Sequence, residues 1–117
     1  MYNEGIRTFI AGEALEAARR VKFSTDLEVV YADDSETSIG VTEKAVADGE
    51  QVAVSLKNYP GTVEIEAAGA ITQGDKVYGA DDGKIQSAST GNEKVGWAYE
   101  TASGSGAIIE VQRDGDI

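Results

Sequence analysis

The chain has 117 residues, 41% of them hydrophobic, which is enough for one domain with its own core and argues against global disorder. It contains no Cys and no His, which removes disulfides, thiolate nucleophiles, His- or Cys-ligated zinc and Ser-His-Asp triads. Ten Lys and Arg against 21 Asp and Glu leave a formal net charge of −11, a surface that repels nucleic acid phosphates and anionic membranes.

Residues 1–8, MYNEGIRT, carry Gly5 and little periodic pattern, and are expected to form an extended N-terminal arm. Fully extended, such an arm reaches about 25 Å. Tyr2, Ile6 and Phe9 are apolar handles that a purely solvated tail does not need, and they are candidate contact residues. The segment has neither the basic start nor the apolar stretch of a signal peptide, and no apolar run nears the ~20 residues of a membrane span. A soluble protein that stays where it is made is the expectation.

Residues 13–22, EALEAARRVK, are the one helix-like stretch. Glu16 and Arg20 stand four apart, and Ala14, Ala18 and Val21 fall on one face. The stretch is short and lacks a strong cap, so one helix near residues 13–20 and a pair of strand ends remain equally open. Arg19, Arg20 and Lys22 form the only basic cluster, too small to favour nucleic acid.

From there the pattern is β. Leu27, Val29 and Tyr31 alternate with polar or small partners, as do Val52, Val54 and Leu56. Residues 62–67, TVEIEA, are expected to bury Val63, Ile65 and Ala67 and expose Glu64 and Glu66. Further strands are expected over residues 76–78, 84–86, 95–100 and 107–112. Turn signals such as Asp48-Gly49, Pro60-Gly61, Asp82-Gly83 and Gly91-Asn92 separate them. Short strands at roughly 8–12-residue spacing predict an all-β fold, a compact β-barrel or β-sandwich. The expected organisation is an arm over 1–8, one β domain over 9–112 and a tail over 113–117.

A phrase occurs twice. Residues 39–54 read IGVTEKAVADGEQVAV and residues 95–111 read VGWAYETASGSGAIIEV, aligned if the second copy carries one extra residue. A weaker echo sets VVYADD at 29–34 against KVYGADD at 76–82. Hairpins resemble one another because Gly turns and alternation are common; the other reading is a fold of two similar halves around one core.

No constellation of residues carries chemistry. Asp81-Asp82-Gly83-Lys84 lacks the alternating ligands and closing Glu of a calcium loop and reads as a hairpin turn. Asp33, Asp34 and Glu36 read as a solvated loop, and Gly104-Ser105-Gly106 lacks the helix N-terminus of a phosphate site. Neither metal nor cofactor is assigned. Trp97 and Tyr99 share a strand face and are expected in the core; exposed, they would mark an interface. Tyr59 and Pro60, on a turn between two strands, are the preferred interface candidates.

Taken in order, FIAGEALEAARRVKF, IGVTEKAVADGEQVAVSLKNYPGT, AAGAITQGDKVYGADDGKI and VGWAYETASGSGAIIEV resemble the capsid cement, or head decoration, proteins of tailed phages. The resemblance spans residues 9–111. It implies a non-enzymatic structural protein of the virion, made in the host cytoplasm, often trimeric, that binds the major capsid protein on the outer face of the expanded shell. It transfers no catalytic residue. The phrase ITQGDKVYGADDGKI also resembles the GD-x-V hairpins of biotinyl and lipoyl carrier domains, with Lys84 as the lysine such a reading would need. A hydrolase using Glu64 and Glu66 lacks any pocket that would raise a carboxyl pKa.

Overall fold

The computed structural model describes residues 5–57 and 61–113. Among these, ten strands and one 3-10 turn build two sheets. The first is a closed barrel of β1 (Ile6–Ala11), β2 (Arg20–Thr25), β3 (Glu28–Tyr31), β4 (Gly40–Thr42) and β5 (Gln51–Leu56), in the order β1-β3-β2-β4-β5. The second contains β6 (Val63–Glu66), β7 (Lys76–Gly79), β8 (Ile85–Gln86), β9 (Lys94–Ala98) and β10 (Ile108–Arg113), in the order β6-β10-β9-β7-β8. Its outer strands touch through one parallel bridge, Ala67 to Ile85, so the second sheet is a half-barrel curled towards closure.

The two halves are the same fold twice, and the ladder register shows it. Adding 56 to both numbers of the β2–β4 pair Arg20 and Val41 gives the β7–β9 pair Lys76 and Trp97. The same shift takes Val21 and Gly40 to Val77 and Gly96, and the bridge of Leu15 with Val46 to that of Ile71 with Ala102. Even the closing parallel contact recurs, Ala11 with Val29 becoming Ala67 with Ile85. Past the last turn the shift grows to 57 for one partner: Phe9 opposite Val52 becomes Ile65 opposite Ile109. The repeated phrase at residues 39 and 95, extra residue included, is therefore the β4–β5 and β9–β10 hairpin of each half. The weaker echo is fortuitous, because VVYADD runs through β3 and KVYGADD through β7, whose counterpart is β2.

Alternation places the cores. Phe9, Ala11, Val21, Val29, Val52 and Val54 fill the first barrel, and Val63, Ile65, Val77, Ile85, Ile109 and Val111 are central to the second. Val41 crosses over and packs into the second cluster. The strand over 62–67 buries and exposes the residues its alternation dictates, except that Glu66 is half-buried.

One expectation changes and one open alternative closes. Strand β1 begins inside the stretch expected to be an arm: Ile6, Arg7 and Thr8 stand opposite Ser55, Val54 and Ala53. Residues 1–4, 58–60 and 114–117 lie outside the described residues, and with them Tyr2, Tyr59 and Pro60. The stretch 13–20 holds no helix. Leu15 bridges Val46, the Glu13 carboxylate accepts the Tyr31 N–H, and Ala18 sits at φ 63, a left-handed angle no α-helix continues through. Ala, Glu and Arg favour helix intrinsically, but tertiary pairing overrides that weak preference.

Ala18 is matched in the second half by Gly74, at φ 93. A Cβ disfavours this region by about 1–2 kcal/mol. Ala18→Gly is thus expected to hold or raise stability by up to about 1 kcal/mol, against the usual loss from inserting glycine; the urea midpoint checks it.

Candidate functional site

The halves are joined by a buried cation. Arg20, on β2, is 1% exposed and reaches into the second half. Its Nε donates to the Lys84 carbonyl (3.0 Å) and its Nη1 to Glu93 Oε1 (2.7 Å). Nη2 donates to the carbonyls of Ala80 (2.8 Å), Ala32 and Asp33 (both 3.1 Å). The planar five-donor fork is what lets one side chain satisfy so many acceptors. Glu93 in turn accepts from the Ser38 N–H and hydroxyl and from Lys57 Nζ, all first-half groups. Burial pulls the Arg20 guanidinium below its ordinary value, and Glu93 works against that pull.

Backbone must come close for this. A Cβ on Gly79 would lie 2.8 Å from Arg20 Nη2, and one on Gly83 2.5 Å from the Arg20 carbonyl oxygen. The acidic clusters at 33–34 and 81–82 belong to the same joint. The Asp34 N–H donates to Asp81 Oδ1 and the Asp82 N–H to Asp33 Oδ1, so each loop caps the other. Glu36 is held below the usual carboxylate range by its bond from Lys22 and by the Asp33 N–H. Arg19 pairs with Glu66 (3.1 Å), and Arg113 donates back to the carbonyls of Ser55 and Leu56.

Two apolar faces stay open. On the second half, Trp97 and Tyr99 are 36% and 48% exposed beside an open hollow of about 360 Å³ that also includes Gln73 and Gly74. Lys94 Nζ stands 5.3 Å over the Trp97 ring. These aromatics were expected in the core; they point outward because the inward positions of β9 are Val95 and Ala98. On the first half, Ile10, Phe23 and Leu27 are exposed, with Phe23 packed edge-on to Phe9 at 5.4 Å between ring centres. An open groove of about 340 Å³ runs between the halves beside Thr42, Glu43, Glu64 and the exposed Ile108.

Of the residues singled out in the sequence, Ile6 is half-buried on β1 and Phe9, 3% exposed, is core rather than a handle. Alternation counted from Ile6 puts Phe9 inside and Ile10 outside, which an arm ending at residue 8 concealed. Lys84 is half-buried, its Nζ 3.5 Å from Glu66, and not the exposed hairpin tip a carrier lysine occupies. Glu64 and Glu66 both lie on β6, Glu66 being held by Arg19 and Lys84. Reasoning from sequence saw Arg20 only as a surface base of a small cluster and missed its place in the joint, since its partner lies 73 positions away.

A closed β-barrel and a half-barrel locked by a buried ion pair and presenting broad open faces define a protein built around surfaces. The sequence profile of the phage cement proteins matches residues 3–113, and the chain belongs to that family. Membership gives it a structural, capsid-associated role in a phage. Among solved structures, the N base of the head fibre gp8.5 in bacteriophage phi29 has the same fold, with a TM-score of 0.80 at 22% identity over 94% of this chain and 93% of that one. No curated protein matches the chain.

Proposed function

We propose that this protein binds the outer face of an expanded icosahedral phage shell, contacts the major capsid protein there as a homotrimer, and braces the shell without catalysing a reaction. The observation that carries this reading is family membership across residues 3–113. The Arg20 joint supports it physically. A brace has to pass load between its contacts, and two β halves fixed by a satisfied buried ion pair do so with little give. Several copies with modest patches reach high avidity once they dock together. The net charge of −11 requires that the contacts be apolar or locally balanced, with acidic groups turned outward.

Co-sedimentation of the purified chain with expanded shells tests this. Saturable binding, together with a rise in the temperature at which the shells release DNA, is expected; shells that neither bind the protein nor gain stability overturn it. Because β1 starts at Ile6, the segment before it can be removed without cutting the barrel. Deleting residues 1–4 is expected to weaken shell binding by about tenfold or more, as loss of a lash would. Undiminished binding would remove that segment, Tyr2 included, from the contact.

A further inference from the structure

The internal joint uses one face of the first half and a different face of the second. The first half presents Arg20, which the second receives on Gly79, Gly83, Lys84 and Glu93 with Glu66 at its edge, and Val41, which packs into the second half's apolar cluster. Duplication gives each of these residues a counterpart 56 positions away. Arg20 and Val41 become Lys76 and Trp97, so the second half carries a presenting face of its own. Gly79, Gly83, Lys84 and Glu66 become Phe23, Leu27, Glu28 and Ile10, so the first half carries a receiving face. Glu93 becomes Thr37, so the acid of this face stands at 28 instead, where the joint has the residue whose carbonyl takes Arg20 Nε.

Within the joint, Arg20 and Val41 are 1% and 3% exposed, whereas Lys76 and Trp97 are exposed. Likewise Gly79 and Gly83 are buried, while Phe23, Leu27 and Ile10 are exposed. Thus the two faces that duplication leaves without a partner include five of the large exposed apolar side chains, Trp97 and Tyr99 on one and Ile10, Phe23 and Leu27 on the other. Their charges are complementary. In a chain with twice as many acids as bases, Lys76 and Lys94 flank Trp97, and Asp26 and Glu28 flank Leu27. Lys76 and Glu28 enter no ion pair among the described residues; the Glu28 carboxylate accepts only from the Ser24 and Thr25 hydroxyls there. Phe23 and Leu27 in place of Gly79 and Gly83 close the deep socket that Arg20 needs, so side-chain packing on the Trp97 ring replaces the interlock.

We propose that copies of this chain associate head to tail: the face of Lys76, Trp97 and Tyr99 on one copy docks on the face of Ile10, Phe23 and Leu27 on the next. Lys76 then pairs with Glu28 of the next copy, as Arg20 reaches residue 84 within the chain. Such a contact is heterologous, so it propagates around a ring or along a row, and it leaves every copy with both faces covered only when the ring closes. It gives the homotrimer proposed above a contact surface. No capsid residue takes part, so its failure would leave the shell-binding reading standing.

Sedimentation equilibrium of the full chain, from about 10 µM to several hundred µM without shells, tests the proposal. The unaltered protein is expected to associate reversibly. W97A is expected to weaken association at least tenfold, as loss of a central aromatic does. K76E and E28K each set like charges against one another and weaken it by a similar factor, while the double variant K76E/E28K restores most of it. Lys76 and Trp97 are exposed and Glu28 is half-buried, and circular dichroism confirms that the variants keep their fold. A protein that stays monomeric throughout, association unchanged in W97A, or a double swap that fails to recover would each overturn the proposal.

Discussion

Replacing Arg20 with alanine is expected to cost about 3–5 kcal/mol, the range for removing one partner of a buried ion pair. The loss comes from what is left behind. Glu93 would remain half-buried with only Ser38 and Lys57 to compensate it. The carbonyls of Lys84 and Ala80 on one side, and of Ala32 and Asp33 on the other, would lose their shared donor. The carbonyls of Lys84, Ala32 and Asp33 keep backbone donors, the N–H groups of Ala80, Gly83 and Glu36, so the acceptor left bare is that of Ala80, at about 1–3 kcal/mol, and the rest of the loss falls on Glu93. Arg20→Lys is expected to fall in between, since an ammonium keeps the charge but has three donors and no planar fork. Each half has its own apolar cluster, so the alanine variant is also expected to lose cooperativity, with the halves melting at separate urea midpoints. A single transition within about 1 kcal/mol of the unaltered protein would show that the joint does not depend on this side chain.

What could be read from the sequence follows from how local each signal is. The strands over 51–56, 63–66 and 94–98 were legible because alternation and flanking turns are properties of neighbouring residues. The duplicated hairpin was legible for the same reason, down to its extra residue. Strand β2 and the crossover before it were not, because EALEAARR has the composition of a helix and only the pairing of Leu15 with Val46 decides otherwise. Outward-facing Trp97 was misread for a subtler reason. Its counterpart Val41 is core, but only because the second half covers it; a sequence cannot say which copy of a repeated face has a partner. Arg20 stood out only as one of three neighbouring bases, and its role appears only when residues 84, 93, 80 and 32 converge on it.

Gly96→Ala is expected to be comparably severe, by steric collision rather than loss of charge. Gly96 lies on β9 opposite Val77 and Arg113. A Cβ there would stand 2.0 Å from the Gln112 carbonyl oxygen and 2.8 Å from the Arg113 Cα, both backbone atoms that no rotamer change can clear. Relief requires β9 and β10 to part, which pulls Arg113 away from the Ser55 and Leu56 carbonyls and so loosens the joint as well. Overpacking a fitted site costs about 1–3 kcal/mol, and more where backbone must move, so a loss of about 3 kcal/mol or more is expected. In thermal unfolding that is a fall of roughly 10 °C or more for a domain of this size. The repeat supplies an internal comparison. Gly40 occupies the same position in the first half, where a Cβ would stand 2.4 Å from the Ser55 oxygen, so Gly40→Ala should destabilise in the same way and somewhat less. Gly69→Ala meets nothing within 4 Å and should stay within about 0.5 kcal/mol. If all three variants melt together, close strand approach is not why the repeated phrase keeps its glycine; if they separate in this order, the Gly shared by the two copies is the contact that lets each half draw its last hairpin shut.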